Sequence, residues 1–191
     1  GEARPYFDGK TLLTGAALCG GRAYSLLADL FAEVMRMGGA SMTRAALYEA
    51  MNEAALRPIH NPLRVSTRFS GTRTDAALRG NIGLIGTDNL TVAHVTQGVL
   101  HGIADELFHM HSDMRGAVHH SGVVVSGNAI RKNPALRHIL ARVFSSKQQV
   151  PAHVEEAAYG AALFAAVSAG LLPLDEVPRM IRYQASEEVA P

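Results

Sequence analysis

The sequence has no tryptophan and a single cysteine, Cys19, and aromatic residues make up only 6% of its 191 positions. One thiol cannot close an internal disulfide, so no cross-linked framework holds this chain. Its size makes such a framework unnecessary, because a chain this long buries roughly 70% of its unfolded surface. No apolar run approaches the ~20 residues that span a bilayer, and no signal segment is visible. Lysine and arginine form no block, and the formal charge is only +1, which argues against a dedicated nucleic-acid binder. An initiating methionine is also missing: the chain opens GEARPYFDGK and reads as a piece of a longer protein. These absences point to a soluble protein, expected in the cytoplasm.

What is present is aliphatic. Apolar residues reach 48% against 18% charged, so the core is expected from Ala, Leu, Val, Ile and Met. Lys10 to Leu18 reads as a strand ending at Cys19-Gly20-Gly21. A helix from about Ala23 to Met37 carries Leu26, Leu27, Leu30, Phe31 and Val34 at helical spacing, and Gly38-Gly39 stops it. A second helix is expected over Thr43–Leu56. Short β-prone pieces, Leu63–Phe69 and Asn81–Leu84, then flank an irregular Gly/Thr/Asp loop. The longest helix is expected from Leu90 to His109, capped by Asp88 or Asn89. After it come a strand over Gly122–Val125, read as central and covered on both faces, and a turn at Ser126-Gly127-Asn128-Ala129. A helix follows over Pro134–Phe144, with Asn133 as its N-cap and Pro134 at a position where a missing N–H costs nothing. A short edge at Gln148–Pro151, a helix ended by Gly170 and a weak helix near Asp175–Ile181 complete the chain. This order of elements predicts a layered α/β domain.

Several features could carry chemistry. At the turn after Val125, Gly127 can adopt a positive φ while Ser126 and Ala129 keep the surface low, which suits a nucleotide lying against the main chain. The turn matches neither the G-x-x-x-x-G-K-[ST] nor the G-x-G-x-x-G pattern, and pattern alone favours packing. Cys19-Gly20-Gly21-Arg22 is a second strand-to-helix junction of the same kind; two such junctions in one α/β domain are more informative than either alone, because strand ends on one sheet edge line a common crevice. Gly160, in Tyr159-Gly160-Ala161-Ala162, is read on pattern as close helix packing. His101, His109, His111, His119 and His120 cluster with Asp105, Glu106 and Asp113, but His109 and His111 point apart on a helix, so surface histidines are the simpler reading. Cys19 reads as a buried small hydrophobe. Arg73 could clamp a phosphate, with a loop-fixing salt bridge the favoured role.

Taken in order, TLLTGAALCGGRAYSLLADLF, the segment from FSGTRTDAALRG to HGIADEL, VVVSGNAIRKNPALRHILARVF and AAYGAALFAA resemble the C-terminal domain of the FGGY carbohydrate kinases. The sedoheptulokinase-like members are the most similar, and the likeness covers nearly all of residues 4–170. It implies an actin-like ATPase (ribonuclease H-like) fold, a layered sheet with flanking helices that is incomplete relative to a full kinase. Residues 1–191 would form the nucleotide-side domain, with an irregular loop-and-strand insertion at about 57–89 and the N-terminal sugar-binding domain absent. ATP with Mg²⁺ would lie in the cleft between the two domains. Gly20 and Gly21 match glycines beside the phosphates. Gly127 and Ala129 would pass against the adenosine, Asn128 stands where many members have glycine, and Asn133 would bond near the adenine. Gly71, Arg73 and Gly80 take mainly structural positions, while Gly160 and Ala161 match the helix supporting the nucleotide site.

The family's catalytic aspartate lies before the segment matching Gly1, so the resemblance assigns no catalytic residue here, and no metal ligand. It implies half of an enzyme that moves the γ-phosphate of ATP to a sugar hydroxyl, with a ketose such as sedoheptulose as acceptor. The isolated chain is expected to be inactive. ATP or ADP and, through the absent domain, the sugar are the expected partners; nucleic acid and membrane are not, and a homodimer is left open. The alternative is a non-catalytic actin-like module that binds nucleotide or protein. A zinc-dependent hydrolase built on the histidines is a third reading.

Overall fold

The structure is a computed structural model that describes residues 1–115 and 122–184. It divides into two compact units, 1–118 and 119–191, and each is described by itself.

In the first unit, β1 (Glu2–Pro5) and β2 (Thr11–Thr14) form an antiparallel hairpin with Pro5 opposite Thr11. The turn between them passes through Asp8 and Gly9, both at positive φ. The strand expected over Lys10–Leu18 thus shrinks to four residues. Helix α1 (Gly20–Met37) begins three residues before its expected start and stops where Gly38-Gly39 predicts. Gly39 takes the left-handed conformation there. Helix α2 (Arg44–Ala55) is capped by Thr43, whose hydroxyl accepts from the Ala46 N–H. Strands β3 (Arg64–Ser66) and β4 (Asn81–Gly83) pair antiparallel across the long Gly/Thr/Asp loop.

Helix α3 (Val92–Arg115) is the longest element and the spine of this unit, touching α1, α2 and β3. Its cap differs from expectation. The Val95 N–H donates to the Thr91 carbonyl at 3.0 Å, and the Thr91 hydroxyl lies 2.8 Å from His94 Nδ1. Asn89 is spent elsewhere: its side chain accepts from Gly86 N and donates to the carbonyls of Asn61 and Leu84, each at 2.8 Å. A buried amide that ties three loop strands together has no group left to cap a helix.

The packing of β3 on α3 rests on two glycines one turn apart. A Cβ placed on Gly98 would lie 2.6 Å from Val65 Cγ2, and one on Gly102 would lie 2.4 Å from the Val65 carbonyl oxygen. The missing side chains form a groove in which the β3 backbone sits. Leu63, Val65, Val99, Leu100, Ile103 and Met51 close the core around it.

The second unit holds β5 (Val123–Val124) and β6 (Gln148–Gln149), paired in parallel. Helix α4 (Asn128–Lys132) follows the turn after β5 as one short extra element that the sequence reading took as turn alone. Helix α5 (Pro134–Phe144) has the expected bounds, with Pro134 in its first turn and Asn133 capping it. Helix α6 (Glu156–Ser168) ends before Gly170, which is at positive φ. A short 3₁₀ turn, Leu174–Glu176, leads into α7 (Val177–Met180). Parallel pairing of β5 and β6 across α4 and α5 is a βαβ crossover, the expected α/β arrangement.

Two apolar expectations come out differently. The Val123–Val125 run is not covered on both faces, because Val124 is 52% exposed, nor is it central, since among the described residues β5 pairs with β6 alone. On α1 the apolar stripe faces outward for most of its length: Leu27 is buried, while Leu26, Leu30 and Val34 are exposed. The strands of the described residues pair two by two, in three small sheets. Among these residues no helix is long and apolar enough to cross a membrane.

Candidate functional site

Two strand-to-helix junctions carry the residues singled out in the sequence, one in each unit. At the first, Cys19 is buried at the N-cap position of α1, and its carbonyl accepts from the Arg22 N–H at 2.7 Å. Cys19 is therefore packed as a small hydrophobe. Gly20 turns the chain into the helix at φ +36, and Gly21 follows in the first turn. An 18-residue helix aims the positive end of its dipole at this point. The Cys19 side chain makes no cap hydrogen bond here.

At the second junction, Gly127 has φ +93 and ψ 167. This is the positive φ the sequence calls for, and an L side chain is strained there. Ser126, Asn128 and Ala129 are exposed around it, and Ile130 is the one side chain that α4 buries. Asn133 is 5% exposed, and its Oδ1 accepts from Leu136 N at 2.9 Å. Its capping role is thus in place, leaving the amide nitrogen as the group that could donate to a base.

The loop is tied down by a pair that the sequence reading did not single out. Arg131 donates to Glu156 Oε1 from Nε at 3.2 Å and from Nη2 at 2.6 Å. The same Nη2 donates to the carbonyls of Pro151, at 2.9 Å, and His153. Glu156 Oε1 also receives the Gly127 N–H at 3.4 Å. The Glu156 carboxyl is held below the usual carboxylate range, first by its own backbone N–H, then by Arg131, with a smaller part from Gly127. Nearby, His153 stacks on Tyr159 at 3.6 Å between ring centroids, and the Tyr159 hydroxyl donates to the Met180 carbonyl. A sequence signal for the ion pair existed only in part: Glu156 lies in the first turn of α6, but nothing in the spacing joins it to a residue 25 positions earlier.

The glycines fall into two groups. A Cβ on Gly71 would lie 2.7 Å from the Asp75 carbonyl oxygen, and one on Gly80 would lie 2.2 Å from the Phe69 ring. With Gly98 and Gly102, these are glycines the chain needs for its own packing. A Cβ on Gly20, Gly21, Gly127 or Gly160 would meet no atom within 4 Å, as is also true of Gly9, Gly39 and Gly170, which stand in turns or at helix ends. Among the described residues no backbone or side chain presses against α6 at Gly160, so the close helix packing expected there is not seen.

Arg73 forms an ion pair with Glu2, which is the loop-fixing role rather than a phosphate clamp. The pair stands on the wall of a cavity of about 600 Å³ in the first unit, lined also by Arg68, Glu106 and Asp113. Glu106 is buried and accepts from the Thr67 hydroxyl at 3.2 Å. None of the candidate nucleotide residues lines this cavity, so the cavity and the open glycines are separate features. His101, His109 and His111 lie along α3, while His119 and His120 lie outside the described residues. Among the described residues, no three His, Cys, Asp or Glu side chains gather as metal ligands.

The model of the C-terminal domain of the FGGY family of carbohydrate kinases matches residues 6–169. The chain belongs to this family. Sedoheptulokinase of Mus musculus is 27% identical over 163 residues, and that of Homo sapiens is 26% identical over 162. Each match covers 83% of this chain and 33% of the relative, so the FGGY chain spans about a third of the length of the curated relatives it matches.

Solved structures agree on the fold. Xylulose kinase from Rhodospirillum rubrum superposes with a TM-score of 0.67 at 22% identity, covering 86% of this chain and 32% of that one. Ligand-bound xylulose kinase from Lactobacillus acidophilus gives 0.65 at 17% identity, covering 84% and 32%. Glycerol kinase from Plasmodium falciparum, solved with ADP, gives 0.58 at 21%, covering 72% and 28%. The fold is thus α/β of the actin-like ATPase type, and the chain is a carbohydrate-kinase C-terminal domain.

Proposed function

We propose that this FGGY domain is the nucleotide-binding half of an ATP-dependent kinase that phosphorylates a sugar hydroxyl, with a ketose of the sedoheptulose kind as acceptor. The observation that carries the reading is the contrast among the glycines. Glycine in a helix interior costs about 1 kcal/mol relative to alanine; Gly160 bears that cost, Gly21 stands in a first turn, and neither has a close neighbour among the described residues. A flat ligand lying against the main chain gives them a purpose. Gly20 and Gly21, at the start of a long helix, suit the phosphates. Gly127, Asn128, Ala129 and Asn133 suit the nucleoside.

Phosphoryl transfer needs a base for the hydroxyl, a cation on the phosphates and a closed cleft. This chain contributes backbone donors and open glycine positions. Mg²⁺ would arrive on the nucleotide phosphates, consistent with its habit of keeping few protein ligands, and no residue here is assigned to it. The 191 residues alone therefore bind nucleotide weakly and turn none over.

An NMR titration of the 191-residue chain with ADP tests this. Amide shifts concentrated at Gly20, Gly21 and Gly127–Asn133 are the expected result. Shifts elsewhere only, or none at millimolar ADP, would overturn the nucleotide reading. Sugar-dependent ATP consumption by the same sample would overturn the claim that the chain alone is inactive. Binding of ADP at these residues with no kinase activity when a sugar-binding domain is supplied would favour the non-catalytic module.

A further inference from the structure

We infer that Arg131 and Glu156 are positioning residues that set the conformation of the turn at Ser126–Ala129 and, through it, nucleotide affinity. The inference rests on the nucleotide reading above and adds to it two side chains outside the turn itself. Helix α4 has five residues, too few to hold an orientation of its own, since a helix this short is marginal without tertiary support. It buries only Ile130. What fixes the turn is therefore the polar clamp. Arg131 stands four residues after Gly127, and its N–H donates to the Gly127 carbonyl at 3.1 Å. Its guanidinium reaches away from α4 to Glu156 and to the carbonyls of Pro151 and His153, all three at the approach to α6 or in its first turn.

Glu156 Oε1 closes the circuit. A single oxygen receives the guanidinium and the Gly127 N–H, so the backbone of the turn is bonded to the atom that anchors its helix. Both side chains are largely withdrawn from water, at 14% and 20% exposure. A pair in that setting has a fixed geometry, unlike an exposed ion pair. The planar fork of arginine supplies donors in several directions at once, which lysine cannot reproduce. The side of Gly127 that would carry a Cβ is left facing open space, so the clamp holds the turn from one side and leaves the other for a ligand.

Three variants of the 191-residue chain test this: Arg131→Lys, Glu156→Gln, and the double substitution Arg131→Met with Glu156→Leu. Replacing both members of a buried pair by apolar residues of similar volume is often neutral for stability, whereas the singles leave a buried group without its partner. The readouts are the urea midpoint, hydrogen exchange at the Gly127–Ala129 amides, and ADP affinity from the NMR titration. The expected result for the singles is exchange at the turn faster by roughly tenfold or more, with ADP binding weaker by roughly tenfold. In the double variant the urea midpoint recovers while turn exchange and ADP affinity do not. Recovery of all three together would show a merely structural pair and overturn the inference. If wild-type chain shows no response to ADP, the nucleotide reading fails. In that event the clamp is judged on exchange alone, and protection of the turn unchanged in Glu156→Gln overturns it.

Discussion

Gly160 gives the sharpest residue-scale contrast. It lies within α6, where its φ is not positive, and a methyl group there would touch nothing. Alanine should therefore raise helix stability by about 1 kcal/mol. If the open face serves nucleotide, the same methyl should weaken ADP binding. The expected outcome for Gly160→Ala is a higher urea midpoint together with smaller ADP-induced amide shifts at Gly127–Asn133. A higher midpoint with ADP binding unchanged would remove Gly160 from the site. Gly127 does not allow so clean a test, because its φ of +93 strains any substitute and mixes folding with binding.

At the scale of elements, the α3–β3 contact is the most demanding in the first unit. Gly102→Ala would drive a methyl group to 2.4 Å from the Val65 carbonyl oxygen, a backbone atom that cannot rotate away. Overpacking of this kind costs about 1–3 kcal/mol and at times more. Circular dichroism followed through urea should show a lower midpoint, and a midpoint equal to wild type would mean the groove is not a close fit.

Elements with local determinants were legible in the sequence. The bounds of α5 follow from Asn133 and Pro134, the stop of α1 from Gly38-Gly39 and the start of α2 from Thr43, each a decision made within a few residues. What depended on distant partners was not legible. Asn89 has the chemistry of a cap but is taken by Gly86, Asn61 and Leu84. The Val123–Val125 run has the composition of a covered central strand, yet among the described residues β6 alone pairs with it and Val124 is exposed. In the candidate site, the glycines and Asn133 could be named from spacing and family likeness. The Arg131–Glu156 clamp could not, because no periodicity links the approach of one helix to the end of another.

At the scale of the whole chain, acid is the condition that reaches both units. Glu2 in the first unit has its pKa lowered by its hydrogen bond to Arg4 and by the charge of Arg73, and Glu156 in the second by its own N–H and Arg131. A carboxylate with a depressed folded-state pKa stabilises the fold above its unfolded value, near 4.5, and that contribution disappears as the pH falls through the folded value. Stability should thus hold steady from neutrality to about pH 5 and decline below it. Glu156→Gln removes one of the titrating groups, so its stability should fall less steeply below pH 4.5 than that of wild type in thermal melts. Equal slopes would rule out Glu156 as a source of the acid sensitivity.

The groove on α3 also bears on the order in which the chain acquires structure. Gly98 and Gly102 sit near the middle of the longest helix, where each loosens the backbone it belongs to. Before β3 arrives, that stretch has the least reason to stay helical. Once Val65 lies between the glycines, the strand restrains the backbone they leave free, and the helix in turn holds three residues of strand that have only β4 otherwise. Neither is stable early without the other. Helix and strand, 33 residues apart in sequence from Val65 to Gly98, should therefore consolidate together, a coupling that follows from two absent side chains.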